Sequence, residues 1–167
     1  LTTRRQRQMC IRDRYISAVL TGGKSSRMVK RMVDDEKLAL QVIAFNQAQE
    51  DYGKYLMLSL PVGETSLEKL TATMDEEIEK IKSELISERE YEKVKNQFEV
   101  QFIQSNTRIE GIANSLARAH MLYGDIDNIN DQIDIYRSIT REEIKEIANK
   151  YLNKSQRVEV DYLPKKK

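Results

Sequence analysis

The sequence predicts an α+β fold, a small antiparallel or mixed sheet packed against several long helices in one domain. Three observations predict it. Apolar residues recur at steps of three and four over most of 65–151, the period of an amphipathic helix. Short apolar runs at 38–45 and 55–60, with an alternating one at 158–162, have strand character instead. A Ser or Thr followed three residues later by Glu stands at 65/68, 87/90 and 140/143, the reciprocal capping pattern that opens helices.

Taken in order, Tyr15, Ile16, Val19 and Leu20 form the last turns of a helix. Gly22-Gly23 stops it, because glycine takes positive φ cheaply. Ser25 or Ser26 caps a second helix with Met28, Met32 and Val33 on one side. Leu38, Leu40, Val42 and Ala44 alternate as a strand, although Ile43 and Phe45 make both its faces apolar. Tyr55–Leu60 is a second strand, ended by Pro61, and Glu50-Asp51-Tyr52-Gly53 supplies the turn of a hairpin.

Helices follow. Thr65 and Glu68 open one with Leu67, Leu70, Met74, Ile78, Ile81 and Leu85 inward. Ser87 and Glu90 open the next, which buries Tyr91, Val94, Phe98 and Phe102. After a bend near Ser105–Thr107, Ile109, Ile112, Ala113, Leu116 and Ala117 continue the period. Asp125–Tyr136 is a shorter helix with Ile126, Ile129 and Ile133 in register. Thr140 and Glu143 cap a last one carrying Ile144, Ile147, Ala148 and Tyr151, and Val158, Val160 and Tyr162 close the chain as a strand before Pro164. Three strands are few for so many amphipathic helices, so the sheet is expected to be incomplete, with strands missing upstream of residue 15.

Composition bounds the function. A chain of 167 residues, 40% hydrophobic and 33% charged, suits one soluble domain. No apolar run reaches the roughly 20 residues that span a bilayer, so no membrane insertion is expected. The net charge of +1 is uneven: residues 1–14 hold five arginines against Asp13 and contain Cys10, leaving 23 basic and 26 acidic side chains in the rest. A mildly acidic body gives no electrostatic reason to bind nucleic acid. The string RQRQMCIRDR looks like a translated sequencing-adapter artefact; its alternative is a basic arm for phosphate or an acidic partner. The expected organisation is a non-native or disordered basic leader at 1–14, a domain at 15–164 and a basic tail at 165–167.

No catalytic constellation stands out. Gly22-Gly23-Lys24-Ser25-Ser26 ends like a phosphate-binding loop, but Ala18 occupies the place of the first glycine and the preceding pattern is helical. Catalytic zinc typically takes at least two His or Cys ligands, and the body holds only His120 and no Cys. The Asp125, Asp127, Asp131 cluster has Asn130 where a calcium loop needs glycine and Tyr136 where it needs glutamate. One histidine also leaves Ser and Lys nucleophiles without a base.

The stretch TGGKSSRMVKRMVDDEKLALQVIAF resembles the helix–GxSSR–helix–strand signature of the insulinase/pitrilysin (inverzincin) family of zinc metallopeptidases. Asp51-Tyr52-Gly53, ISEREYEKVKNQF, GIANSLARAHMLYGD and ITREEIKEIANKYLN extend the likeness, in order, over nearly all of 15–164. The resemblance implies a mitochondrial-processing-peptidase-like (LuxS/metallohydrolase-like) domain. It further implies a clamshell of homologous domains enclosing a peptide substrate, with zinc on an H-x-x-E-H motif. That motif is absent here, so the chain resembles the C-terminal non-zinc domain: no catalytic residue, no cofactor of its own, and a catalytic H-x-x-E-H domain or subunit as partner. Some such domains supply an arginine and a tyrosine seven residues apart. Those places fall on Val33 and Leu40, which cannot donate hydrogen bonds and are read as core; Arg31 does not restore the spacing. Gly23, Ser25, Ser26 and Arg27 match GxSSR and are read as turn and interface geometry. Bacterial members are often exported, to the periplasm or beyond, but the sequence itself assigns no compartment. The alternative in another class is a structural or assembly subunit of the same family.

Overall fold

Helix α1 (Thr2–Thr21) opens the chain in a computed structural model that describes residues 2–48, 53–124 and 126–163. Tyr15, Ile16, Val19 and Leu20 on its last turns are all within 2% of complete burial. The backbone is already helical from Thr2, well before the boundary expected at Tyr15. Arginine, glutamine and methionine are strong helix formers, and a propensity of this kind needs no apolar stripe. The stop is where the sequence places it. Gly22 donates its N–H to the Ala18 carbonyl at 2.9 Å, a Cβ there would lie 2.4 Å from the same oxygen, and Gly23 takes φ +130°.

The second helix is a π-helix, Val29–Asp35, rather than an ordinary one. Glu36 N–H reaches back five residues to Arg31, and Leu38 N–H six to Met32. The wide turn seats Met28 and Met32 in the core with no exposed surface, and such turns recur where function constrains a helix.

Strands β1 (Ala39–Ala48) and β2 (Gly53–Pro61) pair antiparallel, with Val42 opposite Ser59, Ile43 opposite Leu58 and Phe45 opposite Leu56. The register slips between Ala39 and Gln41. A bulge of this kind offsets the alternation by one residue: Leu38 and Ala39 are both buried, Leu40 is thrown outward at 64% exposure, and Val42 and Ala44 turn in again. The expectation that Leu40 is core is therefore corrected. Glu50, Asp51 and Tyr52 of the expected turn lie outside the described residues.

Helices α2 (Leu67–Ser83), α3 (Glu88–Ser105), α4 (Ile109–Tyr123), α5 (Asn128–Ser138) and α6 (Arg141–Tyr151) follow, then a 3-10 turn at Lys154–Gln156. The capping boxes at Ser87/Glu90 and Thr140/Glu143 both form. The one expected at Thr65/Glu68 does not, because Thr65 closes a turn on the Val62 carbonyl; Ser66 caps α2 by accepting from the Lys69 N–H. The backbone leaves the helix at Glu84, so Ile86 is buried and Leu85 is not.

The core lies between α1, the π-helix, the inner face of β1, α2, α3 and α6. Tyr15 is near its centre, edge-on to Phe98 at 4.9 Å and stacked on Tyr91 at 6.0 Å. Its hydroxyl donates to the Tyr136 carbonyl at 2.8 Å, as Tyr91 does to Ile139 at 2.6 Å. Aromatic pairs of this geometry contribute about 0.5–1.5 kcal/mol beyond burial. Outside that core, Ile109, Ile112 and Leu116 of α4 face solvent.

The closing strand does not form. Residues 157–163 have no regular structure, and Val158, Val160 and Tyr162 are 77–97% exposed. The described sheet has two strands, and the segment is held on α2 instead: Arg157 pairs with Asp75, and Thr71 Oγ1 donates to Glu159 at 3.1 Å. Among the described residues no helix is long and apolar enough to cross a membrane.

Candidate functional site

The GxSSR residues make a joint between α1, the π-helix and α3. Ser26 is buried, and its hydroxyl donates to the Gly23 carbonyl at 2.5 Å, which locks the turn. Ser25 Oγ accepts from Lys93 Nζ at 3.1 Å. Arg27 donates both arms of its guanidinium to Glu90, at 2.7 and 2.9 Å. A planar fork on a carboxylate fixes orientation as well as distance. Glu90 is also the closing residue of the α3 capping box, so one carboxylate serves the signature loop and the helix start. The Arg27 hydrogen bonds, with help from Ser87 and against the effect of burial, hold the Glu90 carboxyl down to about 2.

Beside this joint, Arg31 donates to Glu36 and Glu76 at 2.6 Å and to Glu77 at 2.9 Å. Lys80 adds a bond to Glu77 at 2.6 Å. Burial alone would raise the Glu77 carboxyl, but the bonds from Lys80 and Arg31 outweigh it and keep it below its usual range. A shallow cleft of about 410 Å³ overlies these residues. Arg31 has its donors committed within the fold, so nothing in this geometry frees it to hold a substrate.

Val33 and Leu40 are not brought into one pocket. Val33 packs half-buried against the core, while Leu40 sits on the outer face of the hairpin. There it joins Ile43, Phe45, Leu58 and Leu60, all exposed. The sequence signal for this face was present: apolar residues at both parities of 38–45 leave one set uncovered if helices cover the other.

A second set of polar contacts ties α1 to the hairpin through Asp13 and Ser17, and to α6 and α5 through Arg12 and Arg14. Asp13 accepts from Asn46 Nδ2 at 2.9 Å, and burial raises its carboxyl to about 6. Ser17 Oγ donates to Tyr55 Oη at 3.2 Å. Arg12 pairs with Glu143, and Arg14 donates to Tyr136 Oη at 2.5 Å. The partners are 33 and 38 residues away for Asp13 and Ser17, and 131 and 122 for Arg12 and Arg14, so nothing local in the sequence marks them.

The loop Gly22–Ser26 follows a helix, not the strand a phosphate loop requires. Asp125 lies outside the described residues, and α5 begins at Asn128. His120 is exposed on α4. Among the described residues no group of three or more His, Cys, Asp or Glu is arranged to hold a metal ion, so these residues do not fit a zinc site.

Comparison with known proteins gives the family. The family described as Peptidase M16 inactive domain matches residues 6–98. The zinc protease PqqE of Helicobacter pylori is 25% identical over 149 residues, which are 89% of this chain and 33% of that protein. The chain thus spans about a third of this curated relative. The crystal structure of a Bordetella pertussis protein assigned as a zinc protease is 25% identical with TM-score 0.79, covering 94% of this chain and 86% of that one. The inactive peptidase domain of a Bordetella parapertussis protein assigned as a zinc protease superposes with TM-score 0.83 at 23% identity, over 96% of this chain and 84% of that one. This chain belongs to the Peptidase M16 inactive-domain family.

Proposed function

We propose that this chain is the non-zinc domain of a zinc metalloendopeptidase and forms part of a chamber that encloses peptides. Hydrolysis would take place on a separate H-x-x-E-H domain. The observation that carries this reading is the match of residues 6–98 to an inactive domain of a peptidase family. The contribution of the chain is positional: a rigid wall fixes the catalytic domain and the bound peptide relative to each other, which lowers the entropic part of the barrier. Its outer hairpin face supplies an apolar surface, and its strand edges can pair with an extended peptide.

The test is reconstitution. The purified chain with zinc should cleave no unfolded peptide, and adding it to an isolated H-x-x-E-H domain of the same family should raise kcat/KM. Chelator-sensitive cleavage by this chain alone overturns the division of labour. A second reading is a structural or assembly subunit of the same family. Val33 and Leu40, at the places of the Arg and Tyr that the resemblance leads one to expect, favour it; in that case the chain binds its partner and leaves peptide turnover unchanged.

A further inference from the structure

We infer that the outer face of the β1–β2 hairpin is a subsite for an extended stretch of peptide with bulky apolar side chains, centred on Leu40 and Leu58. This role rests on the chamber wall proposed above, and adds which peptide side chains that wall takes.

The backbone leaves regular geometry three times on the way into this face. Val29–Asp35 is a π-helix, Lys37 takes φ +50°, and the register slips between Ala39 and Gln41. The left-handed region is one that residues other than glycine rarely adopt. Wide turns, strained φ angles and bulges each recur where a site is built, and a bulge re-aims a side chain there. Here the re-aimed side chain is Leu40. Counted back from buried Val42, plain alternation would point it inward; instead it is exposed, beside exposed Gln41. A leucine turned away from the core that takes Leu38, Ala39 and Val42 forgoes the stabilisation of burial. Packing within the chain therefore does not account for its place.

Leu40 extends a patch rather than standing alone. Ile43 lies opposite Leu58 and Gln41 opposite Leu60, with Phe45 two residues beyond Ile43 on the same side. Leu40, Ile43, Phe45, Leu58 and Leu60 are 36–64% exposed. Together they present roughly 450 Å² of apolar surface, the size of patch that is often functional on a single chain. Each partner of a stable protein complex contributes about 800 Å². A second copy or a folded domain finds too little here, whereas a few residues of extended peptide can cover it.

Charge narrows the peptide further. Residues 39–48 carry no charged side chain and 53–61 carry only Lys54. Nothing on the strands neutralises a basic side chain, and Lys54 repels one. The exposed Gln41 amide can both donate to and accept from a peptide backbone, a contact that is indifferent to sequence. Selection is left to the apolar side chains.

Fluorescence polarisation of the full chain with a labelled peptide of alternating Phe and Ser tests the subsite. That peptide should bind, and the same peptide with Lys for each Phe should not. Leu40→Ser and Leu58→Ser should each weaken binding by about fivefold or more. Both side chains are exposed, so the circular-dichroism spectrum and melting temperature should stay in place. No binding of the Phe peptide, or binding that survives the double substitution, overturns the subsite. So does a dimer of the parent chain that Leu58→Ser dissolves, or capture of an H-x-x-E-H domain that Leu58→Ser abolishes, because the face then has another occupant. Turnover separates the subsite from the chamber. A chain that raises the kcat/KM of an H-x-x-E-H domain equally for the Phe and Lys peptides keeps the chamber and overturns the subsite. A chain that binds the Phe peptide through Leu40 and Leu58 but raises kcat/KM for neither keeps the subsite and overturns the chamber.

Discussion

Replacing Arg27 by alanine removes both hydrogen bonds to Glu90 and leaves a carboxylate that is only about a quarter exposed. The drop of the Glu90 carboxyl from 4.5 to about 2 corresponds to at most about 3 kcal/mol of preferential stabilisation. Ser87 supplies part of that, and solvent screens a pair at this depth, so about 1.5–2 kcal/mol is expected for Arg27→Ala. For a chain of this length the loss should lower Tm by about 3–8 °C. The assay is urea unfolding of Arg27→Ala, Glu90→Gln and the double variant. Glutamine at 90 retains the capping function, so the cycle isolates the ion pair, and a coupling of about 1 kcal/mol or more is expected. The pH dependence has a definite sign. Glu90 titrates lower in the folded chain than in the unfolded one, so its contribution is full above about 4.5 and is lost as pH falls toward about 2. A coupling below about 0.3 kcal/mol, or the same acid sensitivity in Arg27→Ala as in the parent, would refute the claim that the signature arginine joins the loop to α3.

Gly111→Ala should be costly although the residue lies in a helix, where alanine is normally favoured: its Cβ would sit 1.9 Å from the Ser105 carbonyl oxygen. Backbone must move, at a cost of about 2 kcal/mol or more, and an unchanged melting temperature would show that α3 and α4 do not cross so closely. Leu40→Lys should change the unfolding free energy by no more than about 0.5 kcal/mol, since the side chain faces outward; Met32→Ala, fully buried, should cost about 2–5 kcal/mol. Similar losses at both positions would restore Leu40 to the core and contradict the bulge.

Local chemistry determined much of this protein before any tertiary contact was considered. The Gly22-Gly23 stop, the Ser87/Glu90 and Thr140/Glu143 boxes and the inward stripes of α3 and α6 depend on residues within a few positions of each other, so spacing alone reveals them. The GxSSR string pointed to the family for the same reason, being a contiguous pattern. What only the tertiary structure decided depends on distant partners. Arg27 and Glu90 are 63 residues apart and Arg14 and Tyr136 are 122 apart, and neither pairing leaves a mark in the local pattern. The bulge after Ala39 turned Leu40 outward, because an extra residue breaks the alternation there, while Val42 and Ala44 keep their inward places. The alternation of Val158, Val160 and Tyr162 was legible, but alternation gives a segment strand character without giving it a neighbour. A strand exists only where another backbone pairs with it, and within this chain the side chains of α2 hold that segment instead.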